Sequence, residues 1–382
     1  MRFKAKLTND QLSVFHGVIS PMSKLHDPMA AAATTTTASS SSFWLSSSPS
    51  SRVAVIYLDE EYLRISCKSF DMTCFAELSQ KELFLEHRIE SAADNVIVLQ
   101  VDLQLLKVAL QSVIQSSGHG GYYHNHQQQQ KQQSSRSNNN NNRATSSSSA
   151  MQTLVLQQQV VILKLAKRNN LPCLCIEGRS AVTAENDVEI YQAIPVLIMR
   201  QSEMQHHLPP RINNPQVQLE LPPTPIRAVI DKLKGMSKHI VLEGNMKGDL
   251  SIRIDQDGAS LACFYNHLIP RWPQEEEEDE NDIDDNGGRR EEDGQNNTGN
   301  NPNQKKLSSS STSSSCVIKV DSQKLSTCLQ WQQQQQLPVT SCLLGMVYNE
   351  MLVLHILLAP AQVGFFTYYI PVHFLQQDDL IV

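Results

Sequence analysis

Apolar residues recur along this chain with two periods, and the switches between them mark its elements. Spacings of three and four put Leu12, Phe15, Val18, Ile19, Met22 and Leu25 on one face of a helix over 11–25. Apolar runs at 52–58, 61–67 and 71–78 predict strands, and Val96-Ile97-Val98-Leu99-Gln100-Val101-Asp102 predicts another. A helix over 103–114 follows, then strands over 153–156, 160–167 and 171–177. The same order then returns. A helix over 225–238 precedes strands over 239–244, 249–254, 259–266 and 316–321, and a helix over 322–331 precedes strands over 340–347, 351–358 and 363–370. Asp257-Gly258 between two strand patterns predicts a hairpin turn, and the Pro222-Pro223-Thr224-Pro225 run suits a helix N-terminus. The repeat is visible locally: Val101-Asp102-x-Gln104-x-Leu106 matches Val320-Asp321-x-Gln323-x-Leu325, with Asp at the N-cap position each time. A repeat near half the chain length predicts two like α+β domains, each an antiparallel sheet with two helices on one face.

Composition sharpens this division. Segments 27–50 (Ala, Thr and Ser), 116–149 (Gly, His, Gln, Asn and Ser) and 273–315 (acidic, then Asn and Ser) have too little apolar surface for a core and read as insertions between elements. A shorter Gln run covers 332–336. The expected organisation is a first domain over 1–194, a Pro-, Gln- and His-rich connector over 195–222, a second domain over 223–375 and a tail over 376–382. The whole chain carries −7, but 274–294 holds twelve acids and two bases, a net −10, which leaves the remainder at +3. A mildly basic folded part can touch nucleic acid locally. No apolar run follows Met1 and none approaches the ~20 residues of a membrane helix, so neither secretion nor a membrane is expected. The eight cysteines form no Cys-x-x-Cys pair. Cys67, Cys74, Cys173 and Cys175 read as core residues in a reducing compartment.

Little in the sequence suggests chemistry. It has no glycine-rich phosphate loop outside low complexity and no nucleophile elbow. His124-Asn125-His126 and His206-His207 sit in polar runs. Asp282, Asp284, Asn286 and Gly287 match half of a calcium loop, but Arg289 occupies a normally apolar position and no amphipathic helix flanks them. No metal and no cofactor is therefore expected. The helix faces are more informative. In 225–238, Arg227, Lys234 and Lys238 share a side opposite Ile226, Val229, Ile230, Leu233 and Met236, with Asp231 among them weakening the patch. In 11–25, His16, Ser20 and Lys24 share the polar face; in 103–114, Gln104, Lys107, Gln111 and Gln115 do; in 322–331, Lys324 is the only base. Such faces read either as ordinary solvated helix or as a sparse basic lining that meets phosphates without reading bases.

The opening run Met1-Arg2-Phe3-Lys4-Ala5-Lys6-Leu7 looks like the first strand of a known family, and with the runs that follow the chain resembles the Hus subunit of the checkpoint sliding clamp. Ile194-Pro195-Val196-Leu197-Ile198-Met199 before a Pro-rich stretch looks like its domain connector. His239-Ile240-Val241-Leu242-Glu243-Gly244-Asn245 with Gly248-Asp249-Leu250 looks like the start of its second domain, and Tyr369-Ile370-Pro371-Val372 like its closing strand. The resemblance implies a sliding-clamp fold, with two similar domains whose helices line a central hole. It implies a non-catalytic nuclear protein that forms a ring with two paralogous Rad-type checkpoint clamp subunits. A clamp loader would place the ring around double-stranded DNA, where it would recruit repair and checkpoint proteins. By position, Lys24, Lys107, Arg227, Lys234, Lys238 and Lys324 would face the hole. Strands near 187–194 and 259–267 would be the subunit edges, with Val188, Ile190, Leu261 and Phe264 as alternating strand formers. Pro21 departs from the pattern and should kink the first helix or shift its end. The three inserts also depart from it, and the acidic one reads as a solvated loop or as a mimic or repeller of DNA. The rival expectations are a homotrimeric replicative-type clamp and, from another class, a hydrolase or metal enzyme with converging His, Asp or Cys residues.

Overall fold

The computed structural model describes residues 1–25, 53–69, 71–116, 160–183, 186–212, 214–222, 225–256, 259–271, 315–333, 337–360 and 362–374. The expected strand over 153–156, the Asp257-Gly258 turn, the calcium-loop coincidence, the His124 and His126 pair, the 376–382 tail and nearly all of the three inserts lie outside them. The first half runs β1 (Arg2–Leu7), α1 (Asn9–Met22), β2 (Val53–Leu58), β3 (Tyr62–Lys68), β4 (Thr73–Ser79), α2 (Gln80–Leu83), β5 (Glu86–Glu90), β6 (Ile97–Asp102), α3 (Leu103–Ser116), β7 (Val161–Arg168), β8 (Leu171–Thr183) and β9 (Asn186–Met199). A 3-10 helix, Gln201–His207, follows. The second half runs β10 (Val217–Glu220), α4 (Ile226–Leu233), β11 (His239–Asn245), β12 (Leu250–Gln256), β13 (Ala259–Tyr265), β14 (Ile269–Pro270), β15 (Ser315–Asp321), α5 (Ser322–Cys328), a 3-10 turn (Leu329–Gln333), β16 (Val339–Val347), β17 (Met351–Leu358) and β18 (Gly364–Pro371).

All pairings between these strands are antiparallel, and the two halves repeat them. One sheet of fourteen strands has the order β14-β10-β16-β17-β18-β4-β3-β2-β6-β9-β8-β7-β1-β5. It joins two five-stranded arrays of the same internal order, β5-β1-β7-β8-β9 and β14-β10-β16-β17-β18, through the set β4-β3-β2-β6. The counterpart of that set, β13-β12-β11-β15, stands as a separate four-stranded sheet. β18 of the second half closes on β4 of the first, with Phe366 opposite Ala76 and Tyr368 opposite Cys74. Apolar side chains from both halves form one continuous core, including Phe15, Leu99 and Leu163 from the first half and Leu242, Leu344 and Phe366 from the second.

Caps set the helix starts. Thr8 and Gln11 form a capping box, with Gln11 N–H donating to Thr8 Oγ1 at 3.2 Å, so α1 begins at Asn9, two residues before its expected start. Its end comes early, at Met22, with Pro21 in the last turn, where the missing N–H removes one i→i−4 hydrogen bond and limits the disruption to the helix end. Asp102 Oδ1 accepts from Gln104 N–H at 2.8 Å, and Asp321 Oδ1 accepts from Gln323 N–H at 2.9 Å, so both predicted aspartate caps form. α4 stops at Leu233, before Gly235, rather than at 238. The stretch 195–222, expected to be irregular, holds the end of β9, the 3-10 helix and β10. β10 pairs in register with β16.

A candidate nucleic-acid face and two open edges

The helices build one layer: α1 packs on α3, α4 on α5, and α1 also meets the 3-10 turn after α5. Three of the expected bases converge where the halves meet. Lys24, exposed just beyond α1, has its pKa lowered by burial and by the charges of Lys107 on α3 and Arg227 on α4. His16, eight residues before Lys24, is held below its ordinary pKa by burial and by Lys107, and its Nε2 is buried without a partner among the described residues. Ser20, expected on the same open face, is buried.

The other bases are differently placed. Asp231 on α4 binds both of its neighbours: Arg227 Nε donates to Oδ2 at 3.2 Å and Lys234 Nζ to Oδ1 at 2.7 Å. Ser326 on α5 also donates to Asp231 Oδ1, at 2.6 Å. Burial alone would raise this carboxyl. The hydrogen bonds from Lys234 and Ser326 and the charges of Arg227 and Lys234 outweigh it and hold the pKa below the usual aspartate range. Lys324 pairs with Asp71, in the β3–β4 turn of the other half. Its partner is 253 residues away, which no local pattern could reveal. Lys238 is exposed between α4 and β11.

Two long strands offer an unpaired side among the described residues. β9 pairs with β8 along its length, but with β6 only at 196–199, so 187–194 is open on one side. β13 pairs only with β12. Ile190 is half-buried against the core, and Val188 lies on the same strand. Leu261 and Phe264 on β13 are 46% and 72% exposed. Of the remaining edges, β15 has seven residues and is partly covered by a bridge at His373, whose N–H donates to the Lys319 carbonyl at 2.7 Å; β14 has two residues, and β5 has five, which carry charges that discourage strand addition. Among the described residues no three His, Cys, Asp or Glu side chains group as a metal site. Cys67 and Cys74 lie side by side and buried across β3 and β4. Burial pushes the Cys67 thiol up to about 12, far from thiolate chemistry.

Sheets joined strand to strand, with helices in a layer against them, make this a DNA sliding-clamp fold. The PCNA2–PCNA3 complex from Sulfolobus tokodaii superposes with a TM-score of 0.52 over 97% of this chain and 99% of that one, at 9% identity. A family model described as Hus1-like protein matches residues 29–373, and the chain belongs to that family. Checkpoint protein HUS1 of Homo sapiens is 24% identical over 106 residues, 28% of this chain and 36% of that protein. Checkpoint protein hus1 of Schizosaccharomyces pombe is 23% identical over 195 residues, 50% of this chain and 53% of that protein. The matches thus span about half or less of these relatives' lengths. No helix among the described residues is long and apolar enough to cross a membrane.

Proposed function

We propose that the chain is one subunit of a heterotrimeric checkpoint clamp that encircles duplex DNA in the nucleus, catalyses nothing itself and recruits checkpoint and repair proteins. The observation that carries this is the β4–β18 seam. Within the chain, the last strand of one five-stranded array closes on the outer strand of a four-stranded set. The repeat leaves the counterparts of both strands, β9 and β13, without such a neighbour among the described residues. A chain with one complementary edge at each end closes only by adding further chains, and three clamp chains make a ring. The two neighbours are paralogous Rad-type subunits, and a clamp loader opens and closes the ring. Duplex DNA passes the helix layer, where Lys24 and Lys107 meet phosphates, with Arg227, Lys234 and Lys238 nearby and Lys324 contributing least.

Light scattering after size exclusion tests this on the full chain, alone and with the two candidate paralogues. The expected result is a monomer that enters a 1:1:1 complex. A self-made trimer would identify a replicative-type clamp instead, and indifference to both paralogues would refute the assembly.

A further inference from the structure

We infer that the open β9 edge is one layer of a two-layer socket whose second layer is Leu105 and Val108 of α3, and that it accepts a different chain bearing apolar side chains in its hairpin turn. This rests on the subunit reading above. The chain contains its own template for the contact, because the seam already shows how a hairpin docks on such an edge. There the strand β18 takes β4, while the helix beside β18 takes the turn that leads into β4. Lys324 of α5 pairs with Asp71 of that turn, and Cys328 Sγ lies 4.0 Å from Met72 Sδ.

The repeat transfers this arrangement residue by residue. Ile194-Pro195-Val196 at the end of β9 matches Ile370-Pro371-Val372 at the end of β18, so Ile190 and Gln192 stand where Phe366 and Tyr368 stand. The aspartate caps align α3 with α5, so Leu105 replaces Lys324, Val108 replaces Thr327 and Ala109 replaces Cys328. Leu105 and Val108 are 41% and 53% exposed. They share a helix face with Ser112, whose Oγ accepts from Gln192 Nε2 of β9 at 3.3 Å, so this face flanks the open strand. Where the seam offers a lysine, the free edge offers two aliphatic side chains. An incoming acid there would lose its water without gaining a partner, whereas an incoming apolar turn would cover the patch.

The sequence of this chain's own counterpart turn argues against a second copy. The residues between β12 and β13 are Asp257 and Gly258, and an acid followed by a glycine lacks the apolar side chains that the Leu105 and Val108 patch calls for.

The test is the Leu105→Glu, Val108→Glu double variant of the full chain, titrated separately with each paralogous subunit. Both positions are exposed, and unchanged circular dichroism and melting would verify the fold. Affinity for one neighbour should fall by about ten-fold or more and affinity for the other should stay level. A Phe264→Glu variant on β13 should show the reverse preference. Unchanged binding of both neighbours by a folded double variant, or equal weakening of both, would overturn the socket while leaving the clamp reading intact. If the unaltered chain binds neither subunit, the clamp reading falls and the socket falls with it.

Discussion

Among the described residues Tyr368 is the largest fully buried side chain, and its hydroxyl has no hydrogen-bond partner there. It lies at the seam opposite Cys74, among the thiols of Cys67, Cys328 and Cys342. Burial and those thiols push its pKa well above the ordinary tyrosine value. Its ring meets Phe366 edge-on with centroids 5.7 Å apart, so the aromatic body does the packing and the oxygen is an uncompensated polar atom. Tyr368→Phe keeps the ring and removes the orphan. Denaturant unfolding is expected to show a gain of roughly 1 kcal/mol, and a loss of that size would reveal a partner for the hydroxyl. The sequence shows Tyr368 as an apolar position in a strand pattern. It cannot show that the residues gathered around it come from β3, β4, β16 and α5, because that meeting is made by the seam.

At the scale of elements, the seam depends on a glycine. Gly364 opens β18 at φ +135°, and a methyl group there would run into the carbonyl of Glu77 on β4. Gly364→Ala should therefore destabilise by more than ~1 kcal/mol, with amide exchange accelerating along β4 and β18 before it does in β8. Unaltered exchange at the seam would show that β18 does not need that conformation. Many elements were legible: both aspartate caps and most strands follow from spacing and turn residues, whereas β1 and β9 were placed only by the family resemblance. β5 was not, because Glu86-His87-Arg88-Ile89-Glu90 is polar, as suits a charged edge. The polar far end of β8, 178–183, was illegible for a like reason, and β9 was placed near 187–194 by the family resemblance rather than by its pattern. β10 was hidden differently. Val217-Gln218-Leu219-Glu220 alternates as a strand should, but four residues among prolines are too short a signal.

For the whole molecule, the expected lining divides into bases left to face solvent and bases already matched. Asp231 holds Arg227 and Lys234, and Asp71 holds Lys324. Lys24 and Lys107 meet one another and Arg227 where the halves join. On a loaded ring, Lys24→Ala with Lys107→Ala is expected to lower the salt dependence of DNA retention by up to about two units of log–log slope, while Lys324→Ala changes it little. Equal effects from the two variants would mean that the ion pair with Asp71 opens on DNA. Asp231 was legible among the bases of its own helix, at i,i+4 from Arg227 and i,i+3 from Lys234, but Asp71 was not, because it lies 253 residues from Lys324 in the other half. The closure of β18 on β4 also orders events in time. The first half is written first, yet one side of its four-stranded set stays bare until residues 364–371 arrive. That half consequently matures last, and any chain cut short of Gly364 exposes β4, fully formed and apolar, to whatever strand it meets next.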